Sequence, residues 1–302
     1  MTREIELKLV VAPEAADALA ASQLLGRCTA DVVLSAVYFD TPDHKLRRNG
    51  LSLRIRGENG RQIQAVKATD TAAAGLFSRA EWEREVESNR PEPDPRAPLA
   101  DLLGGDASEL AEQFRVIVNR RNFAATDGNA WFDAAIDFGE ITVDGRFGAF
   151  CEVELELKSG EPAALFRLAR RIGAQAPARI GVLSKAERGY RLLGPILAAE
   201  KAEKLRLDPC MSVVDGFAAV VHACLKQYRL NETIALERRC PAAVHQARVA
   251  VRRLRTALSI FRPLLRCDGM SRELNTRLRD LAREFGKVRD LDILIAHPTS
   301  AP

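Results

Sequence analysis

Long apolar runs are missing from this sequence. No stretch approaches the ~18 consecutive apolar residues that a membrane span needs, which excludes an integral membrane protein. The opening Met1-Thr2-Arg3-Glu4-Ile5-Glu6 carries no apolar signal core, so the expected location is the cytoplasm. Cys-x-x-Cys pairs are absent too. The six cysteines, at 28, 151, 210, 224, 240 and 267, are scattered and read as reduced thiols, not as a disulfide frame or a zinc site. No Walker loop, Gly-x-Ser-x-Gly or His/Cys cluster points to another chemistry. Aromatic residues are only 6%, whereas RNA binders more often interleave aromatics with basic residues, so nucleic acid is not favoured as a partner.

What remains is ample for folding. The 302 residues are 47% hydrophobic and 28% charged, enough for two ordinary domains with buried cores. The net charge of +4 is unevenly spread. Residues 207–302 hold 16 of the 45 Lys+Arg and 10 of the 41 Asp+Glu, leaving 29 basic and 31 acidic residues before them. A basic C-terminal third predicts an anionic partner such as polyphosphate, nucleic acid or an acidic surface.

Period-two alternation predicts strands over 4–10, 32–39, 51–57, 62–68, 80–88, 114–124, 130–138, 141–143 and 149–158. Asn49-Gly50, Asn59-Gly60, Asp127-Gly128 and Asp144-Gly145 supply hairpin signals between them. Helices are expected over 13–25, near 99–112 and over 162–172. After about residue 195 the pattern becomes helical, with helices expected over 210–228, 241–265 and 271–288 and a helical linker over 197–207. The domain boundary is placed near 200–208.

Each strand has one charged face. Glu4, Glu6 and Lys8 oppose Ile5, Leu7 and Leu9; Arg54 and Arg56 oppose Leu53 and Ile55. Arg79, Glu81, Glu83 and Glu85 share a face, as do Asp133 and Asp137, and Glu152, Glu154, Glu156 and Lys158. Turned inward, these faces would enclose a charged tunnel; turned outward, they would clothe an ordinary packed barrel. Chemistry favours the tunnel. Paired carboxylates on separate strands suit Mg²⁺ or Mn²⁺, clustered Arg and Lys suit phosphate oxygens, and a cavity with both fits a metal-bound polyphosphate. Lys67 shares parity with Ile63 and Ala65, and Arg120 with Val116 and Val118, so a bulge or an outward side chain is expected at one of them. Asp40 fits either a site role or a turn role, and in Asp40-Thr41-Pro42-Asp43 a side-chain bond to backbone is the commoner one. His44 reads as a surface residue.

The ordered set Glu4-x-Glu6-x-Lys8, Tyr38-Phe39-Asp40-Thr41-Pro42-Asp43, Leu53-Arg54-Ile55-Arg56, Gln64-Ala65-Val66-Lys67, Gly75–Glu83, Arg120, Asp137-Phe138-Gly139, Cys151–Gly160 and Ser184–Tyr190 resembles the CYTH family, the triphosphate tunnel metalloenzymes. Its details look most like the inorganic triphosphatase branch. The resemblance implies an α+β chain: a closed antiparallel eight-stranded barrel with flanking helices over 1–200, then an all-α segment over 208–302. It implies triphosphate bound by Lys8, Arg54, Arg56, Lys67, Arg79, Arg120 and Lys185. It implies Mg²⁺ or Mn²⁺ held by Glu4, Glu6 and the Glu152/Glu154/Glu156 strand, with Glu154 the first choice. Glu4, Glu6, Lys8, Asp137 and Glu154 are the expected catalytic set, and Glu81 and Glu83 are further wall residues.

In the C-terminal part, helical spacing gathers His245, Arg248, Arg252 and Arg255 within roughly 80°. Ala247, Val251, Leu254 and Leu258 lie opposite. Together with His222 and Gly286–Asp292 this run resembles the CHAD domain, a helical module associated with polyphosphate binding. The resemblance implies anion contacts from His222, His245, Arg248, Arg252, Arg253 and Arg255, and further ones from Lys287 and Arg289. CHAD domains are usually roughly twice this long, so exposed apolar helix faces are expected, favouring dimerisation, packing on the barrel or poor stability. The expected activity is hydrolysis of tripolyphosphate to pyrophosphate and phosphate. The rivals are a thiamine or nucleoside triphosphate hydrolase, an adenylate cyclase, and a non-catalytic polyphosphate-binding protein.

Overall fold

The structure is a computed structural model that describes residues 2–58, 60–68, 75–92, 94–104, 108–265 and 269–296. Asn59 of the Asn59-Gly60 signal, Cys267 and residues 297–302 lie outside the described residues. The elements of the first unit are β1 (Thr2–Val11), α1 (Pro13–Ala21), β2 (Cys28–Asp40), α2 (Lys45–Arg48), β3 (Leu51–Glu58), β4 (Arg61–Ala68), β5 (Leu76–Val86), α3 (Leu99–Leu103), β6 (Ala111–Asp127), β7 (Ala130–Val143), β8 (Arg146–Ser159), α4 (Ala163–Gln175), β9 (Ala178–Ile180) and α5 (Lys185–Leu193). The second unit begins at Leu197 and holds α6 (Val213–Arg238), α7 (Pro241–Ile260), a 3₁₀ turn (Arg262–Leu265) and α8 (Gly269–Ala296).

The strands run β5-β4-β3-β2-β6-β7-β8-β1, and β1 pairs back onto β5, closing an eight-stranded antiparallel barrel. Closure decides which face points inward. The apolar side of β1, with Leu7 and Leu9, packs outward with Val153, Leu155 and the inner faces of α1 and α4. Leu53, Ile55 and Val66 pack outward under Leu46 of α2 and Leu99 of α3. The charged side of β1, β3, β5 and β8 is therefore turned into the barrel, because the apolar side of these strands packs into the outer clusters.

Several local expectations change. The two strands expected over 130–143 are one, since Gly139 is no turn: a Cβ there would lie 2.1 Å from Phe150, so glycine lets that ring cross an unbroken strand. Asn49-Gly50 makes no hairpin; it ends α2, with Gly50 at φ 70°. Asp144 (φ 46°) and Gly145 (φ 73°) do form a tight hairpin turn joining β7 to β8. The helix expected near 99–112 stops at Gly104, in the left-handed region, and β6 begins at Ala111.

The second unit is helical from Val213. Residues 197–207 are not a helix. Isolated helices this short are marginal in water, and Asn231 of α6 offers the backbone other partners. Its side chain accepts from Glu200 N (2.9 Å) and donates to Glu200 O (2.8 Å), tying the backbone there to α6. The α7 stripe of Ala247, Val251 and Leu254 is buried, while Leu258 is half-buried. The five described cysteines are free thiols. Among the described residues no helix is long and apolar enough to cross a membrane.

Candidate active site inside the barrel

Antiparallel pairing puts directly opposed residues on one face, and the register here sets charge against charge. Glu4 faces Arg79, Lys8 faces Glu154, Lys67 faces Glu81, and Asp137 faces both Arg120 and Glu152. The side chains meet accordingly. Lys67 Nζ lies 2.9 Å from both Glu4 and Glu81, while Arg79 Nε lies 2.9 Å from Glu4 and Arg79 Nη2 lies 3.4 Å from Glu6. Lys8 binds Glu6 at 2.8 Å and also Glu154. Arg120 clasps Asp137 through two hydrogen bonds of 2.7 and 2.6 Å and touches Glu154. Arg54 lies by Tyr38, Glu81 and Glu83, and Arg56 by Glu83.

Lys67 and Arg120 thus both point inward, and neither sits at a bulge, since the β3–β4, β4–β5 and β6–β7 registers are unbroken around them. The expectation of a bulge or an outward side chain assumed that the inner face is charged throughout. It is not. Leu34, Ala36, Tyr38, Phe114, Val116 and Val118 share the inward parity and form an apolar floor under Ala186 and Tyr190 of α5.

That helix brings Lys185 to the carboxylates. Its Nζ lies 2.8 Å from Asp137, 2.9 Å from Glu152 and 2.6 Å from Glu154. Arg188, one turn on, reaches Glu152 at 3.2 Å and lies over Phe150. Arg188 was not among the expected site residues, although its spacing of three from Lys185 put both on one helix face. A capping box between Ser184 and Glu187 starts the helix. At its other end Arg146 donates to the carbonyls of Leu192 (2.9 Å) and Gly194 (3.1 Å). Tyr190 donates to Asp40 Oδ2 at 2.6 Å. The remaining capacity of Asp40 goes to the amides of Thr41, Leu46 and Arg47, so it is a buried structural hub between α2 and α5. His44 is half-buried, edge-on to Tyr190.

Among the described residues Asp137, Glu152 and Glu154 offer oxygens all within 4.8 Å of one another, close enough to share a cation. Glu156 shares their face, but its carboxylate is a third exposed and pairs with Lys158 at 2.6 Å. Burial opposes every one of these charges, and the neighbours decide the outcome. Burial raises the Glu4 carboxyl, but Lys67 and Arg79 outweigh it and bring it down to about 2. Glu154 is held well below the usual carboxylate range, burial being overcome by Lys185, Lys8 and Arg120. Glu6 goes the other way: burial and the nearby Glu154 raise it more than Lys8 lowers it. Buried ion pairs at this density are weak devices for stability, because desolvation offsets most of their attraction.

In the helical unit Arg248 and Arg252 are exposed, and His222, His245 and Arg255 are half-buried. Arg253 turns away from the stripe and donates to Gln227 of α6 at 2.7 Å. Lys287 is exposed and paired with Glu284 at 2.8 Å, and Arg289 is half-buried.

Comparison with known proteins follows these divisions. A CYTH domain model matches residues 2–190 and a CHAD domain model residues 219–301. An inorganic triphosphatase of Haemophilus influenzae is 29% identical over 252 residues, covering 78% of this chain and 69% of that protein. Similar solved structures include HpAC1 of Hippeastrum, an adenylyl cyclase candidate described as having a dominant triphosphatase activity (21% identity, 62% of this chain and 95% of that one, TM-score 0.47). Another is an adenylate cyclase candidate of Bacillus halodurans (18% identity, 62% and 98%, TM-score 0.46). The CYTH match spans well over half of the chain and takes in the whole barrel with its charged interior, and this chain belongs to the CYTH family.

Proposed function

We propose that this protein is a metal-dependent inorganic triphosphatase, hydrolysing tripolyphosphate to pyrophosphate and phosphate inside the barrel. The observation that carries the reading is the closed inner face on which buried Lys and Arg alternate with carboxylates. The curated relative's activity supports it. In this reading residues 1–200 form the catalytic domain and 208–302 a helical module that holds polyphosphate. The module would use His222, His245, Arg248, Arg252 and Arg255, with Arg253 bracing α6. We assign the protein to the cytoplasm.

The cation expected here fits the residues present. The donors are all hard carboxylate oxygens, which suit Mg²⁺ or Mn²⁺. Glu6 is raised by burial beside Glu154, a state that a divalent cation would relieve. Glu4, Glu6, Glu152 and Glu154 would hold it, with Asp137 beside Glu152 and Glu154 at the same point and Glu156 towards the rim. When bound, it would neutralise phosphate charge and polarise the phosphoryl group.

The protein's own side chains do the rest. Lys8, Arg54, Arg56, Lys67, Arg79, Arg120 and Lys185 bind the phosphate oxygens and fix the chain in line. Asp137 and Glu154 orient a water against a terminal phosphorus. As the new P–O bond forms, the bond to the bridging oxygen breaks, the proton released by the water passes to a phosphate oxygen of the products, and pyrophosphate leaves, its charge met by the surrounding cations. The apolar floor beneath α5 keeps bulk water from that end.

The test is phosphate release from tripolyphosphate, ATP, thiamine triphosphate and long-chain polyphosphate, with Mg²⁺ or Mn²⁺ and with a chelator. Tripolyphosphate should be turned over best and only with metal, and Glu6→Gln should reduce turnover by about a hundredfold. Preference for ATP or thiamine triphosphate would move the assignment to those rivals. Folded protein that turns over none of them would leave a binding role.

A further inference from the structure

Two ammonium groups sit where cations belong. Lys185 Nζ is ringed by Asp137 at 2.8 Å, Glu152 at 2.9 Å and Glu154 at 2.6 Å. Those are the same three side chains whose oxygens cluster within 4.8 Å. Lys8 Nζ touches Glu154 and lies 2.8 Å from Glu6 and 3.7 Å from Glu152. Asp137 and Glu152 are wholly buried, and Glu154 shows only 12% of its side chain. Three buried carboxylates without cations would be costly; Lys8, Arg120 and Arg188 each reach one or two of them, and Lys185 touches all three.

The two lysines are mounted differently. Lys8 stands on β1, fixed in the sheet by its pairing with β8. Lys185 is the first residue of α5, outside the sheet, on a flexible four-carbon stem. It can exchange its three carboxylates for another anion without moving a strand.

We propose that Lys185 is a built-in placeholder cation: in the ligand-free protein its ammonium occupies the Asp137/Glu152/Glu154 cluster and competes with a divalent metal ion for it. The phosphate chain draws Lys185 away from the cluster and so opens it to metal. Metal and triphosphate then bind with positive coupling, each strengthening the other by the same factor. The protein alone holds metal weakly, and the metal site becomes strong when the substrate arrives. This rests on the triphosphatase reading, because it needs both an anion and a metal in one barrel.

The experiment is a Mn²⁺ titration of the full chain with no phosphate present, followed by the EPR signal of free Mn²⁺. Wild type, Lys185→Met and Lys185→Arg are compared, each checked for folding by circular dichroism. Removing one positive charge in contact with the cluster should tighten Mn²⁺ binding at least about tenfold in Lys185→Met, since close charges interact strongly at reduced dielectric. Lys185→Arg keeps the charge and should stay as weak as wild type. A folded Lys185→Met that binds Mn²⁺ no more tightly than wild type overturns the placeholder role and leaves the triphosphatase reading intact if wild type still hydrolyses tripolyphosphate. Tightening of equal size in Lys185→Arg also overturns it, because the effect would then come from packing. Mn²⁺ bound by none of the three overturns the placeholder role, and the triphosphatase reading falls with it only if wild type also fails to hydrolyse tripolyphosphate with Mn²⁺.

Discussion

Gly189 sits on the face of α5 that meets the barrel, and Gly189→Ala isolates what that contact does. An alanine Cβ would lie 2.1, 2.4 and 2.4 Å from three atoms of the Phe114 ring. The ring has nowhere to go: it is fully buried, stacked on Tyr38 at 4.7 Å and met edge-on by Tyr190 at 5.2 Å. Two effects oppose each other. Alanine favours a helix over glycine by about 1 kcal/mol, while overpacking a closed core costs about 1–3 kcal/mol. Three ring atoms in clash place this case at the upper end, so the net loss should be about 2 kcal/mol. Ordinary contact begins near 3.4 Å, so the helix must retreat by roughly 1 Å and carry Lys185 and Arg188 with it. A misplacement of about 1 Å at a reacting centre can cost about a hundredfold in rate. Gly173→Ala on α4 is the matched control, because nothing lies within 4 Å of the added carbon. It should gain about 0.5–1 kcal/mol from propensity alone. Urea midpoints and tripolyphosphate turnover for both variants decide the matter. If Gly189→Ala is stabilised like Gly173→Ala and keeps full turnover, the packing argument for α5 is wrong.

Other outcomes follow from single contacts. Tyr190→Phe removes a hydrogen bond to the buried Asp40 carboxylate and should cost about 1.5–3 kcal/mol, read from the urea midpoint. Asn231→Ala frees the backbone at Glu200; it should cost about 1–3 kcal/mol and speed limited proteolysis within 197–208. Glu4 and Glu6 should give opposite pH dependences. The Glu4 carboxyl is depressed from 4.5 to about 2, so its stabilisation is full above about 4.5 and is lost as pH falls towards 2. Glu4→Gln should therefore melt below wild type at pH 7 and converge with it near pH 2. The Glu6 carboxyl is raised, so its charge costs stability above the ordinary carboxylate range. Glu6→Gln should melt above wild type at pH 7 while losing turnover, with the difference gone below about pH 4. A Glu6→Gln protein that is less stable at pH 7 would contradict the sign assigned to that group.

Much of the site was legible from alternation. Glu4, Glu6 and Lys8 had to share a face, as did Glu152 and Glu154, because strand side chains repeat every two residues. The same rule misled at Lys67 and Arg120, whose apolar neighbours in parity, Ile63, Ala65, Val116 and Val118, also face inward. Helix α5 was missed as a helix because its nine residues carry mixed polarity around a glycine. Residues 197–207 read as helix from composition, yet Asn231, some thirty residues on, ties down the backbone at Glu200. No local pattern contains that partner.

What the sequence determined by itself was which side chains stand together on each strand and helix, where the tight turn at Asp144-Gly145 falls, and that grammar changes near residue 200. These are consequences of backbone period and local sterics, which are written residue by residue. Only the tertiary structure decided that the charged faces point inward, since alternation is the same seen from either side of a sheet. Pairing of β1 with β5 closes the barrel, and helices cover the apolar exterior. It also decided that Lys185, Asp137, Glu152 and Glu154 meet at one point. Those contacts join α5 to two strands of the closed barrel, and distance along the chain carries no record of them.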